Sequence, residues 1–196
     1  CTVDLSALYV DITKDRLYCD AANSPRRRAT QSVMHACFSA VAKLLAPILA
    51  FTADEAWEFA GHKTSIHIET LPNANAALRD EALEAKVDEW LKLRAAIYQQ
   101  AIEPARQAKT IAKSLEAAIT LELPQESYAT YSSYGAHEHA ELEEFLIVSE
   151  LTISSGTALG ARVAKSGRPQ CPRCWRHQPL TAKDVCARCD EALPAS

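Results

Sequence analysis

The chain has 196 residues, 48% of them hydrophobic and 23% charged, with a formal net charge of −4. That composition buries a real core, excludes a disordered chain, and fits one large domain or two small ones. Seven cysteines, an odd number with no regular framework, argue against a secreted disulfide scaffold, and no apolar run is long enough to span a bilayer. No basic-then-apolar signal pattern opens the chain, so a cytoplasmic protein is expected. The first residues, CTVDLSALYV, lack an initiator Met and already lie inside an amphipathic pattern, as in a piece of something longer.

Leu5, Leu8, Tyr9 and Ile12 recur at helical spacing and predict a helix from Asp4 to near Cys19. Ser24 and Pro25 then supply a cap and a first helical position. A buried stripe of Val33, Cys37, Val41, Leu44 and Leu45 follows, and Pro47 imposes a bend or break. ILAFTADEAWEFA reads as another helix, either continuing past the bend or starting afresh with Thr52 as cap. SIHIETLP alternates and is expected to be an extended connection. Apolar positions from Leu83 to Ala105 mark one face of a long helix over roughly 78–109, kinked near its end by Pro104. Trp57, Trp90 and Phe51 are expected to pack in cores. LEAAITLELP reads as a strand, HEHAELEEF as a short acidic helix, LIVSELTISS as a second strand and ALGARVAKSG as a third. The second half is therefore α+β, and SGRPQ forms a hinge into the final segment.

That segment carries two Cys-x-x-Cys pairs, Cys171/Cys174 and Cys186/Cys189, separated by eleven residues. Four thiolates converging from two such turns are what a structural zinc ion requires. Iron in a rubredoxin-like knuckle has the same sulfur geometry, and the CP-x-C start resembles that family; a dithiol redox motif fits two matched pairs less well. Closed by four thiolates, such a zinc ion has no open position for catalysis. Cys1, Cys19 and Cys37 read as small buried hydrophobes.

Charge is segregated along the sequence: residues 78–154 hold 14 acidic and 7 basic side chains, residues 155–196 hold 3 acidic and 7 basic. Arg168, Arg173, Arg176, Lys183 and Arg188 offer phosphate-pairing charge around the cysteines, and Trp175 either covers the small module or presents a face on which an unpaired base stacks. Arg26, Arg27 and Arg28 fall in the first turn of the helix capped by Ser24. Cations are disfavoured there and a bound phosphate would be favoured, although pairing with an acid such as Asp20 gives a plain alternative. His137 and His139, two residues apart, lie on different helix faces and make a poor metal pair. No Gly-rich phosphate cradle and no catalytic triad or paired-carboxylate pattern stands out in the sequence.

Taken together, DLSALYVDITKDRLYCD, SPRRRATQSVM, LAPILAFTADEAWE, IAKSLEAAITLEL and CPRCW with its later CARC resemble the C-terminal part of bacterial isoleucyl-tRNA synthetase, in that family's order and over nearly the whole chain. The resemblance implies an α+β architecture. A mainly helical anticodon-binding bundle (1–77) is followed by a long helix with a small α+β junction (78–167) and a four-cysteine zinc module (168–196). It implies tRNA(Ile) as partner, Trp175 and Arg173 at the anticodon loop, and Arg26 to Arg28 as backbone contacts along the stem, with Arg176 a further candidate for tRNA binding. The ATP-dependent chemistry belongs to domains with no counterpart in these residues. The family's bundle starts upstream, which leaves apolar helix surface through which this fragment is expected to self-associate, whereas the parent is expected to be monomeric. A stand-alone zinc-ribbon nucleic-acid binder is the alternative.

Overall fold

The computed structural model describes residues 2–193; the expectation for Cys1 lies outside them. The chain divides into two compact units, residues 22–80 and residues 1–21 with 81–196.

In the smaller unit, α2 (Pro25–Leu45) starts as its sequence dictates: Ser24 Oγ accepts from Arg27 N–H and Pro25 takes the first turn. The chain breaks around Pro47 and α3 (Ala50–Phe59) begins anew, with no side-chain cap, so Thr52 does not cap it. The core is small: Ala42, Ala46, Ala53, Trp57 and Ile66, with Phe38 against them. These small residues let α2 and α3 approach closely around one indole. The stripe expected to be buried is not: Val33, Leu44 and Leu45 are exposed and Val41 and Cys37 half-buried. The face that packs is the adjacent one through Phe38, Ala42 and Ala46. Phe51 is likewise exposed, because α3 turns Ala53 and Trp57 inward. SIHIETLP is not extended but holds a 3₁₀ turn, Ile66–Ile68, that inserts Ile66 into this core. Asp54 fixes it by accepting from Ser65 Oγ at 2.8 Å and Ile66 N–H at 2.9 Å.

The larger unit holds the main core. Helical chain over Thr2–Val10 runs into α1 (Asp11–Cys19). Farther on, α4 (Glu81–Ile97) buries Trp90, Leu93 and Ile97, and then opens into a π turn, Tyr98–Ile102, before α5 (Glu103–Gln107). Pro104 explains the wide turn: it has no N–H to donate to the preceding turn, so the ladder shifts register and still buries Ala101 and Ile102. The expected single helix is thus interrupted.

β1 (Ala117–Pro124) alternates as predicted, with Ala117, Ile119, Leu121 and Leu123 all buried. β2 (Glu150–Gly156) pairs with it in parallel, Ile119 opposite Leu151, and β3 (Gly160–Lys165) pairs antiparallel, Ile119 opposite Val163, giving the order β2-β1-β3. A parallel pair needs a crossover, which α6 (Gln125–Ser132) and α7 (Ala136–Leu146) supply. No periodicity announces α6, whose residues bury nothing fully. Leu146 closes α7 and is not strand; Ile147 then adopts φ 56°, an unusual left-handed conformation for a β-branched residue, and turns the chain into β2. The α+β class holds, and no helix among the described residues is long and apolar enough to cross a membrane.

Arg16 of α1 and Glu144 of α7 form a two-bonded ion pair at 2.8 and 3.0 Å, with the carboxylate only 4% exposed. Removing one partner strands the other in a poorly solvated place. Arg16→Ala is expected to cost about 3 kcal/mol, and Arg16→Ala with Glu144→Leu less than the sum of the singles. Urea unfolding of the four proteins checks this; equal midpoints for Arg16→Ala and the parent would show the pair to be idle.

Candidate functional site

The final segment folds around sulfur. The four Sγ atoms of Cys171, Cys174, Cys186 and Cys189 lie within 4.8 Å of one another and all four residues are buried. Cys174 Sγ and Cys186 Sγ are 3.7 Å apart. A tetrahedral ion with bonds of about 2.3 Å has an edge of about 3.8 Å, so the spacing fits a metal and is far too long for a disulfide. The donor set is entirely thiol, and Cys186 N–H points at Cys171 Sγ from 3.4 Å. Burial opposes ionisation of Cys171, but backbone N–H groups of Cys174, Cys186 and Arg173 pull its thiol down to about 6. Burial pushes Cys174 and Cys186 up. These four residues therefore can hold a metal ion, and no other such cluster occurs among the described residues. His137 and His139 instead lie 3.7 Å from Glu141 and Glu143 on their own helix.

The module has too little apolar substance to stand alone: apart from the cysteines its core is Val185 and Leu180, and Cys19 at the end of α1 completes it. Burial and the neighbouring Asp15 charge push the Cys19 thiol up to about 12, so it stays a neutral packing group. Arg188 grips Asp15 with two bonds, 2.5 and 2.9 Å, and approaches buried Asp20 at 3.5 Å. Arg173 donates to the carbonyls of Cys19 and Tyr18, which are among the last of α1 and have no helical partner. On the other side Arg176 donates to Val148 O at 2.7 Å, and Ser149 Oγ accepts from His177 N–H at 2.8 Å.

Trp175 stands apart from this clamp. Its backbone is left-handed, φ 64°, held by its N–H donating to Cys171 O at 2.8 Å, and the side chain is 55% exposed. A bulky residue in that region is strained, and only a well-determined surround sustains it. The indole borders a groove of about 430 Å³ between α1, the α7–β2 corner and the cysteine module. Ile12, Tyr18, Leu115 and Ile147 form apolar wall, with Arg173 and Arg176 beside them. Lys113 places its ammonium 4.7 Å from the centre of the indole.

The structure thus brings Arg173, Arg176 and Trp175 together, and commits Arg168 to Glu150 at 3.0 Å and Lys183 to Asp190 at 2.7 Å. Arg26, Arg27 and Arg28 belong to the other unit, on the first turn of α2, where Arg26 and Arg28 are exposed and Arg27 half-buried. Sequence reasoning missed Asp15, Ser149 and Lys113. Their partners lie tens to more than a hundred residues away, so no local pattern signals them.

The sequence model for the anticodon-binding domain of tRNA ligases matches residues 1–121. The chain belongs to this family. It is 36% identical over 200 residues to the isoleucine–tRNA ligase of Methylacidiphilum infernorum, covering 98% of this chain and 21% of that protein. It is 36% identical over 212 residues to that of Brachyspira hyodysenteriae, covering 98% and 22%, and 36% over 205 residues to that of Gluconobacter oxydans, covering 100% and 21%. The chain therefore spans about a fifth of the length of these relatives, and the matches run through the cysteine module as well as the family's domain.

If a metal organises that module, chelation removes on the order of 10 kcal/mol of apparent binding energy. Protease resistance of residues 168–193 is expected to collapse on chelation while far-ultraviolet circular dichroism keeps most of its helical signal. A tail that stays resistant would show that the clamp on α1 suffices without metal.

Proposed function

We propose that this chain is the tRNA-recognition region of an isoleucine-tRNA ligase, binding the anticodon stem-loop of tRNA(Ile) in the cytoplasm for an ATP-dependent aminoacylation performed by other domains. Identity of 36% to ligases named for isoleucine over 98% of the chain carries the reading. In this division of labour residues 1–77 serve as anticodon-binding bundle, 78–167 as junction and 168–196 as a module closed by structural zinc.

The geometry supports specific roles. Cys171, Cys174, Cys186 and Cys189 would hold zinc, whose chemistry there is structural because four thiolates leave no open position. Trp175 stacks an unpaired base: its ring is exposed, rigid and beside a groove with apolar wall and hydrogen-bonding groups. Arg173 and Arg176 line the same groove while anchored to backbone carbonyls, so they present guanidinium edges in fixed places. Arg26, Arg27 and Arg28, at a capped helix N-terminus, suit phosphates of the stem. A single-strand platform of this kind favours an RNA loop over duplex DNA, which sets the reading against a stand-alone zinc ribbon.

Trp175→Gly tests it. Glycine adopts φ 64° freely, so the metal content and thermal midpoint should be kept or slightly raised. Binding of the tRNA(Ile) anticodon stem-loop should weaken roughly 5- to 150-fold, the equivalent of about 1–3 kcal/mol for one stacked base. A control loop with a changed anticodon should bind more weakly to the parent and be little affected by the substitution. Equal affinity of parent and variant for the cognate loop would sink the stacking role.

A further inference from the structure

Resting on that tRNA reading, we propose that Lys113 is an RNA-contacting residue of the same site and supplies the phosphate charge for the nucleotide that stacks on Trp175. The argument begins with the cations that the sequence offers for this purpose. Arg188 is bound to Asp15, Arg168 to Glu150 and Lys183 to Asp190, and Lys14, in the groove wall, to Asp11 at 2.5 Å. Arg173 and Arg176 spend donors on carbonyls of α1 and of Val148. A phosphate arriving here would compete with those carboxylates and carbonyls for the donors of these side chains.

Among the described residues Lys113 makes no such ion pair, and its ammonium lies over the Trp175 indole, 4.7 Å from the ring centre. The residue is exposed, in a bend immediately before the 3₁₀ turn Ser114–Glu116 that leads into β1. Trp175 lines the groove and Lys113 does not, which leaves the ring shared between a cation and the space where a base would enter. Base and phosphate of one nucleotide are separated by a ribose, a span that a lysine over one face of the ring covers with its four-carbon stem. An ammonium released from an aromatic face to a phosphate exchanges a weak contact for a charge-assisted one. The device is a flexible point charge beside a rigid stacking platform, which suits a strand whose backbone path varies.

Lys113→Met, Lys113→Arg and Trp175→Ala in the metal-loaded chain test this with the tRNA(Ile) anticodon stem-loop over a salt series. Lys113→Met should weaken binding roughly 3- to 10-fold at low salt and lower the slope of log affinity against log salt by about 0.7, the value for one single-strand phosphate contact. Lys113→Arg should restore both. Unchanged affinity and slope for Lys113→Met, with Trp175→Ala still weakened, would overturn the role of Lys113 and leave the tRNA reading standing. A shift in Trp175 fluorescence of the free protein without a change in slope would reduce Lys113 to a support for the ring and equally overturn it. If Trp175→Ala and Lys113→Met both bind as the parent does, the site itself is misassigned and the inference falls with it.

Discussion

The end of α1 is where the larger unit is tied together. A helix leaves its last carbonyls without partners, and here Arg173, more than 150 residues away in sequence, fills two of them. Asp15 and Asp20, in and just after the same stretch, hold Arg188, while Cys19 completes a core that the cysteine module cannot build alone. Burial of the Arg188 guanidinium would be costly unpaired, so the pair fixes placement more than it adds stability. One turn earlier Arg16 anchors α1 to Glu144 of α7. The module is therefore registered against the sheet through a helix as well as through Val148 and Ser149.

That registration explains how two strained residues persist. Ile147 and Trp175 both have positive φ, are bulky, and line the same groove. Such conformations cost of order 1–3 kcal/mol each and survive where neighbours over-determine them. Ile147 and Val148 donate their N–H groups to Glu144 and Glu143 carbonyls of α7; Trp175 donates to Cys171, whose own N–H returns to Arg176. Two residues in this backbone conformation thus border one groove, each held by hydrogen bonds of its own corner.

Where a local rule decides the outcome, the residues could be read directly. Ser24 and Pro25 start α2, the alternation of Ala117 to Leu123 makes β1, and the paired cysteines converge. The failures have physical causes. Val33, Val41, Leu44 and Leu45 have the right period for a buried stripe, but periodicity names a face and does not say whether anything covers it. Phe51 has a helical spacing that suits a core, but Ala53 and Trp57 define the inward side of α3. Cys37 is half-buried for the same reason as its neighbours in the stripe. Of the candidate site, the four clustered cysteines and the exposed Trp175 can be singled out from local spacing; Lys113, Asp15 and Ser149 cannot, because only the fold brings them there.

The same limit governs charge. A tail with 7 basic and 3 acidic residues reads as an attractive surface for a polyanion. In the folded unit much of that charge is spent on carboxylates of the acidic segment and of α1, so segregation along the sequence becomes compensation in space. The groove itself is balanced, with Asp11, Asp15 and Glu144 against Lys14, Arg173 and Arg176. A balanced, partly apolar groove repels a phosphate from its interior as much as it attracts one, yet it suits a base, which is neutral, flat and edged with donors and acceptors. Under the proposed function, steering by charge would come from outside the groove and discrimination from within it, which would separate affinity from specificity on one small surface.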